Sequence, residues 1–386
     1  MSAGGATAGS ARPLLLRRLN EQSVLETIRS DGPVSRAEIA RVAGISKPTV
    51  SLALKALLDA GLVRESADGV DGPTYGAIFF EEDPEAAAAL GIDIGARYVR
   101  MALADVTGAV RAREDVEVKP GARGLLGRIP RLAERLVQEA GVRRERVACA
   151  TVGVPGVVEA ASGRVGLAEN VPGLEGKAVA SILRERLELP VEVFNDVNLA
   201  ALGERDSGAG RGVESFVFVS VGTGLGAGVV IGGELVAGSH GAAGELDLMR
   251  PAGSGDDPSA HAILEYAGSL AGARRGRAPW HDTVDIFARA REGDGRALRV
   301  VDEVARRIAA HVIPIAAVVD PGLVILGGGI GSNGDLLLDP LRAILARALP
   351  YPPALTTSEL GRDAVLGGAL ALGLVQARDW SFAKRP

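Results

Sequence analysis

The feature that most constrains this chain is a switch of pattern at Glu81-Glu82-Asp83-Pro84. Before it, apolar residues recur at helical spacing in short bursts; after it, strand-like apolar runs and helical stretches alternate to the C-terminus. At about 150 residues per domain, 386 residues carrying such a break exclude one small binding module. With 47% apolar and 24% charged residues the composition is that of a globular protein. No apolar run approaches the ~20 residues that span a bilayer, and residues 1–13 lack the apolar stretch of a secretory leader. A cytoplasmic protein with no membrane partner is therefore expected.

A single cysteine, Cys149, excludes an intrachain disulfide and any metal site of several thiolates. It falls in an apolar run and reads as a small buried filler. His240, His261, His281 and His311 do not repeat at a metal-ligand spacing, so no metal and no cofactor is expected. The net charge of −5 speaks against nucleic acid, but it hides an asymmetry: residues 14–64 hold eight basic side chains against five acidic ones. A polyanion would meet the N-terminal end.

Residues 21–80 read as three short helices followed by two strands. Val24, Leu25 and Ile28 share one helical face that stops at Asp31-Gly32-Pro33. Ser35 opens a second helix with Glu38 completing a capping box, and Gly44 ends it; Ser46 caps a third, which Gly61 terminates. Along the third helix Val50, Leu54, Leu57 and Leu58 form the apolar stripe, leaving Lys47, Thr49, Ser51 and Lys55 largely on the other side. Two helices across a short glycine turn, the second cationic on its free face, suit the ~12 Å wide major groove. Lys47 would neutralise a phosphate, and Thr49 and Ser51 would reach base edges. Residues 62–64 and 76–80 would be the strands of a wing whose loop, with Asp68 and Asp71 and no cation, offers nothing to a minor groove. The bland alternative is a helical protein-interaction domain.

In the body, residues 89–94 and 99–105 read as strands around Asp93-Ile94-Gly95, and a similar strand, glycine turn, strand pattern returns at 216–236 with Gly222-Thr223-Gly224-Leu225-Gly226 at the turn. Two copies with helices at 124–140, 176–187, 198–203 and 297–319 suggest two α/β lobes facing across a cleft. Such turns expose backbone N–H groups to phosphate oxygens, although 52 glycines produce chance matches. Gly327-Gly328-Gly329 is a second candidate, or simply a tight strand-to-helix turn. Asn195-Asp196-Val197-Asn198 follows a strand at 191–194 and opens a helix: a carboxylate there can accept a proton from a hydroxyl and an amide can hold a neighbouring one, or the cluster is only an N-cap. Glu245 and Glu265 add carboxylates. Carboxylates and an amide with few aromatics fit a small polyhydroxylated ligand.

Four stretches together resemble the ROK family (repressors, open reading frames and sugar kinases), and within it the transcription factors. They are Ser35-Arg36-Ala37-Glu38-Ile39-Ala40 with Ser46-Lys47-Pro48-Thr49-Val50-Ser51; Val152-Gly153-Val154-Pro155-Gly156-Val157; Phe194-Asn195-Asp196-Val197-Asn198-Leu199-Ala200-Ala201; and Gly222-Thr223-Gly224-Leu225-Gly226 leading to Ala243-Gly244-Glu245. The resemblance runs from Leu14 to about Ala377. It implies an N-terminal winged helix-turn-helix (14–80) plus an actin-like, two-lobed sugar-kinase (ribonuclease-H-like) α/β fold. The lobes would be 88–205, with 366–383 returning, and 206–365. It also implies a homodimer or homotetramer on double-stranded operator DNA, controlled by a sugar or sugar phosphate. By matching position Asn195 and Asp196 would hold sugar hydroxyls, Asp196 standing where the kinases have their catalytic base; Glu245 matches the first residue of the family's Glu-x-Gly-His, and Glu265 the glutamate that closes the pocket. Arg36, Lys47, Thr49, Ser51 and Lys55 would face DNA.

Three departures from the family pattern matter. Glu245 is followed by Leu246-Asp247-Leu248 where the family has Gly-His after one residue, and residues 253–261 replace the zinc-binding cysteines, so structural zinc is not expected; Asp256, Asp257 and His261 read as solvated loop residues. Asp93-Ile94-Gly95-Ala96-Arg97-Tyr98 stands where the kinases read Asp-x-Gly-Gly-Thr-Lys, which leaves Asp93, Gly95, Gly222, Thr223 and Gly224 as vestigial phosphate loops and implies sugar binding without phosphorylation. The wing's Gly72-Pro73-Thr74 lacks the family's arginine. A repressor of carbohydrate uptake or metabolism genes is the first reading, and an ATP-dependent sugar kinase with an accessory DNA-binding domain is the second. A regulator that senses a partner protein is the third.

Overall fold

The computed structural model describes residues 8–66, 77–118, 124–159, 162–168, 171, 173–249, 255–270 and 280–384. The head comprises α1 (Ala8–Asp31), β1 (Val34–Ser35), α2 (Arg36–Ala43), α3 (Lys47–Asp59), β2 (Val63–Glu65) and β3 (Phe79–Glu82), with the strands in the antiparallel order β1-β3-β2. Val24, Leu25, Ile28, Ile39, Val50, Leu54, Leu57 and Phe80 close its core. Two sequence expectations need correction here. First, α1 begins long before Glu21 and runs through Pro13. Its early turns show Leu15, Leu16 and Leu19 to solvent instead of a core-facing stripe, so periodicity gave no sign of them. Second, the change of pattern at Glu81 and Glu82 is not a break in structure. They belong to β3, and Glu82 is buried with Arg29 Nε 2.7 Å from its carboxylate. The wing loop lies outside the described residues.

The first lobe follows with β4 (Ala88–Ile94), β5 (Tyr98–Asp105), β6 (Val110–Glu117), α4 (Leu125–Glu139), β7 (Val147–Val154), β8 (Val157–Val158), β9 (Val165–Gly166), α5 (Val179–Leu187), β10 (Val191–Asn195) and α6 (Asp196–Ser207). The second holds β11 (Phe216–Val221), β12 (Leu225–Ile231), β13 (Glu234–Leu235), α7 (Ala260–Leu270), α8 (Thr283–Arg291), α9 (Gly295–Val319), β14 (Leu323–Gly327), α10 (Gly328–Gly331), α11 (Gly334–Ala348) and β15 (Ala354–Thr357), before α12 (Ala364–Ala383). The sheets run β10-β7-β4-β5-β6 and β15-β14-β11-β12-β13. In each, a central strand starts an antiparallel meander of two further strands on one side and has two parallel strands on the other. The weak repeat in the sequence is thus a duplicated topology.

The parallel strands at the centre of the first sheet are apolar apart from Asp93 and Thr151, as burial on both faces demands: every residue of β4 and β7 is buried. Helix α12 binds the molecule together. Gly368 packs on the backbone of α6 at Leu199 and Gly203, and Gly373 lies against Ala89 and Thr151. At its far end Ala377 and Trp380 join Cys149, Ala86 and Ala87 in the same apolar cluster as the head core. Cys149 is therefore the buried filler its surroundings suggested, its thiol pushed up to about 12 by burial.

Candidate functional site

On the head, Ser35 caps α2 by accepting from the Glu38 N–H at 3.3 Å, and Gly44 ends it in the left-handed conformation, φ +66°. Ser46 then caps α3, accepting from the Thr49 N–H. Since α3 buries Val50, Ala53, Leu54 and Leu57, its opposite face presents Lys47, Ser51 and Lys55 to solvent. Thr49 is half-buried, with its hydroxyl 2.8 Å from that of Ser46, so it serves the cap first. Arg36 belongs to α2, and its guanidinium lies 5.6 Å from the centre of the Phe80 ring.

In the body, Asp93 ends β4 and is buried, with Arg100 Nη1 of β5 donating to it at 2.8 Å. Burial pushes its pKa up to about 6 against the pull of Arg100. Asn195 caps α6: its side-chain oxygen accepts from the Asn198 N–H at 2.9 Å, and its Nδ2 donates to the Gly156 carbonyl at 3.0 Å. Both ends of that amide are engaged in holding strand to helix. Asp196 is the first residue of α6, accepting from the Val197 N–H at 2.9 Å. Burial raises its pKa to about 7, with Asp93 and Glu245 adding like-charge repulsion. Glu245 is itself raised by burial and by Asp247. Its approach is fixed by Gly244, whose φ of +89° and contact with the Ala227 carbonyl leave no room for a Cβ. Asp93 and Glu245 thus both act electrostatically on Asp196, and at such a site a protonated carboxyl donates a hydrogen bond whereas an ionised one accepts from a hydroxyl.

Glu265 does not join them. It is exposed on α7, and His261 Nε2 lies 3.3 Å away. The glycine turns are simpler. Gly222 N–H bonds the Gly224 carbonyl inside the β11–β12 hairpin, with Thr223 exposed, and Gly328, φ +77°, fits against Val221 where a Cβ would overlap backbone. Gly95 donates to the Tyr98 carbonyl in the β4–β5 turn.

Of the residues read as solvated, His261 is exposed, but Asp256 and Asp257 are held by α9. Arg306 Nη1 reaches Asp256 at 2.8 Å, Arg307 Nη1 donates to the Asp257 carbonyl at 2.7 Å, and His311 Nε2 is 3.1 Å from the Asp256 carbonyl. Arg307 is buried, pairs with Glu303 at 2.7 Å and lies over the Tyr266 ring. Among the described residues no three His, Cys, Asp or Glu are grouped to hold a metal ion. The one sign in the sequence was Arg307 and His311, four residues apart among the apolar positions of α9. Glu204, fully buried in α6, was missed for the same reason. It accepts from the N–H groups of Ala209, Glu359 and Leu360 and from the Ser358 hydroxyl, tying α6 to the chain entering α12.

Comparison with known proteins agrees with this architecture. The chain is 28% identical to a xylose repressor of Caldicellulosiruptor bescii across 93% of its own length and 96% of that protein. It is 30% identical to a glucokinase of Streptomyces coelicolor across 73% of its length and 96% of that protein. A solved ROK family transcriptional regulator, a homolog of the E. coli MLC protein, shares the fold with a TM-score of 0.76 at 23% identity, over 96% of this chain and 98% of that one. A helix-turn-helix domain description matches residues 16–66. No helix among the described residues is long and apolar enough to cross a membrane. Because the ROK family description matches residues 89–376, spanning both sheets and most of α12, this chain belongs to the ROK family.

Proposed function

We propose that this protein is a sugar-responsive transcriptional repressor that works in the cytoplasm as a homo-oligomer on operator DNA. The observation that carries the reading is the exposed cationic face of α3 on a head whose core is continuous with the first lobe. The alignment with the xylose repressor across head and body together supports it. In this reading residues 14–80 contact DNA, 88–205 with 366–383 form the lobe on which the head rests, and 206–365 close over the ligand and carry self-association. Asp196 and Glu245 take sugar hydroxyls. Ligand bound between the lobes favours one arrangement of α6 and α12, and with it one spacing of paired heads.

The kinase reading is kept by the glucokinase likeness and by Asp196 at the base position. Against it stands Arg100, which occupies the Asp93 carboxylate. Phosphoryl transfer depends on positioning phosphates and their metal, and an arginine on that acid supports ligand binding without transfer. Selection of bound genomic fragments by the purified protein tests the first reading: enrichment of sites beside carbohydrate genes is expected. Failure to retain any DNA at low salt would overturn it. Sugar-dependent ADP release, lost in Asp196→Asn, would establish the kinase instead.

Lys47 is exposed at the N-terminal end of α3. Lys47→Ala is expected to weaken binding evenly across DNA sequences and to lower the slope of log affinity against log salt by about one unit. An unchanged slope in a salt titration would remove Lys47 from the phosphate contacts.

A further inference from the structure

Leu52 is an anomaly on the reading face. It is 72% exposed, the one large apolar side chain of α3 left in solvent. Pro48, Leu52 and Lys55 follow at helical spacings of four and three, with Lys47 and Ser51 beside them, so the leucine stands at the middle of the face. A groove of about 520 Å³ runs beside it between α1 and α3, floored by Leu16, Ala53 and Ala56 and edged by Arg17 and Lys55. Glu21 and Asp59 also line this groove, but on α3 itself residues 47–55 around Leu52 carry Lys47 and Lys55 and no acid, so the apolar centre flanked by cations complements a polyanion that carries one apolar group.

The major groove of DNA has such a group, the 5-methyl of thymine. We propose that Leu52 is a specificity-determining residue that selects a thymine by packing on its 5-methyl group, while Lys47 and Lys55 hold the flanking phosphates. The assignment rests on the DNA-binding reading above and adds to it the base that the head recognises.

The test begins with a high-affinity site selected from a random duplex pool by the full-length protein. Each thymine is then replaced singly by uracil, which removes only the methyl. Wild-type binding is expected to fall roughly fourfold at one position per half-site, the loss of a single apolar carbon. Leu52→Ala should bind the thymine and uracil duplexes equally and no longer select thymine there, while Leu52→Met, which keeps an apolar reach, should retain the preference. A flat uracil scan with tight wild-type binding would overturn the role of Leu52 and leave the repressor reading standing. So would equal uracil penalties in wild type and Leu52→Ala. Absence of binding to every pool at low salt would overturn both. If Leu52→Ala instead alters sedimentation without altering base preference, the leucine belongs to a contact between chains and the proposal falls.

Discussion

Gly368→Ala is expected to destabilise the protein by about 3 kcal/mol, while its neighbour Gly367→Ala leaves stability unchanged or raises it by up to about 1 kcal/mol. The two glycines sit side by side in α12, and helix propensity alone predicts that both substitutions help. Packing separates them. A Cβ at 368 would lie 1.9 Å from the Leu199 carbonyl oxygen and 3.0 Å from the Gly203 nitrogen, both backbone atoms of α6. Nothing there yields except by parting the helices, and Glu204 staples the same crossing through Ser358 and Leu360. A Cβ at 367 meets only the end of the Leu360 side chain, at 3.4 Å. For a body of this size the loss at 368 corresponds to a fall in Tm of roughly 5–10 °C. Thermal unfolding of both variants decides it, and equal behaviour would mean that α6 and α12 are not in backbone contact. Because α12 ends in the apolar cluster of the head, Gly368→Ala should also blunt any ligand effect on DNA binding, which a merely destabilised surface helix would not do.

How much of this was legible in the sequence depends on the range of the physics involved. The caps are local, with Ser35 and Ser46 accepting from N–H groups three residues on and Gly44 donating to the Ala40 carbonyl four residues back, and they stand where sequence put them. The duplicated sheets announced themselves through alternating apolar runs and glycine turns. The start of α1 did not, because Leu15, Leu16 and Leu19 face solvent and form no core-facing stripe. Nor did the burial of Glu82, which depends on Arg29 more than fifty positions away. Asp93 and Glu245 lie near enough for their charges to raise the pKa of Asp196, whereas Glu265, matched by motif position alone, faces solvent beside His261. Asn195 has two readings in the sequence, hydroxyl binder or N-cap; it makes the cap and a bond to Gly156, which leaves its second N–H and a lone pair for a ligand. Asp256 and Asp257 had no local reason to be held in place. Their partners are Arg306, Arg307 and His311, which reach them from fifty residues or more along the chain.

Asp196→Asn is expected to stabilise the ligand-free protein, and the gain should depend on pH. The Asp196 carboxyl moves from an ordinary 3.8 to about 7, chiefly through burial, with Asp93 and Glu245 opposing its ionisation. An acid whose pKa is higher in the folded than in the unfolded state takes up a proton on folding between those values, so stability declines as pH rises from about 4 to about 7 and stays low above it. Asparagine fills nearly the same volume without the charge. Near pH 4 wild type and variant should unfold together. By pH 8 the variant should be ahead by about 2 kcal/mol, less than a full three-unit shift would give because the site opens toward solvent and the group is coupled to two other acids. In Tm this is roughly 5 °C. Melting curves from pH 4 to 8 measure it directly, and parallel profiles for the two proteins would show that Asp196 ionises freely. The same substitution should abolish the sugar response, since an amide replaces the carboxylate that accepts from the ligand hydroxyl, while fragment binding by the head persists. A stabilised protein that still grips DNA but no longer answers to sugar would separate the cost of keeping an acid in the cleft from the work that acid does.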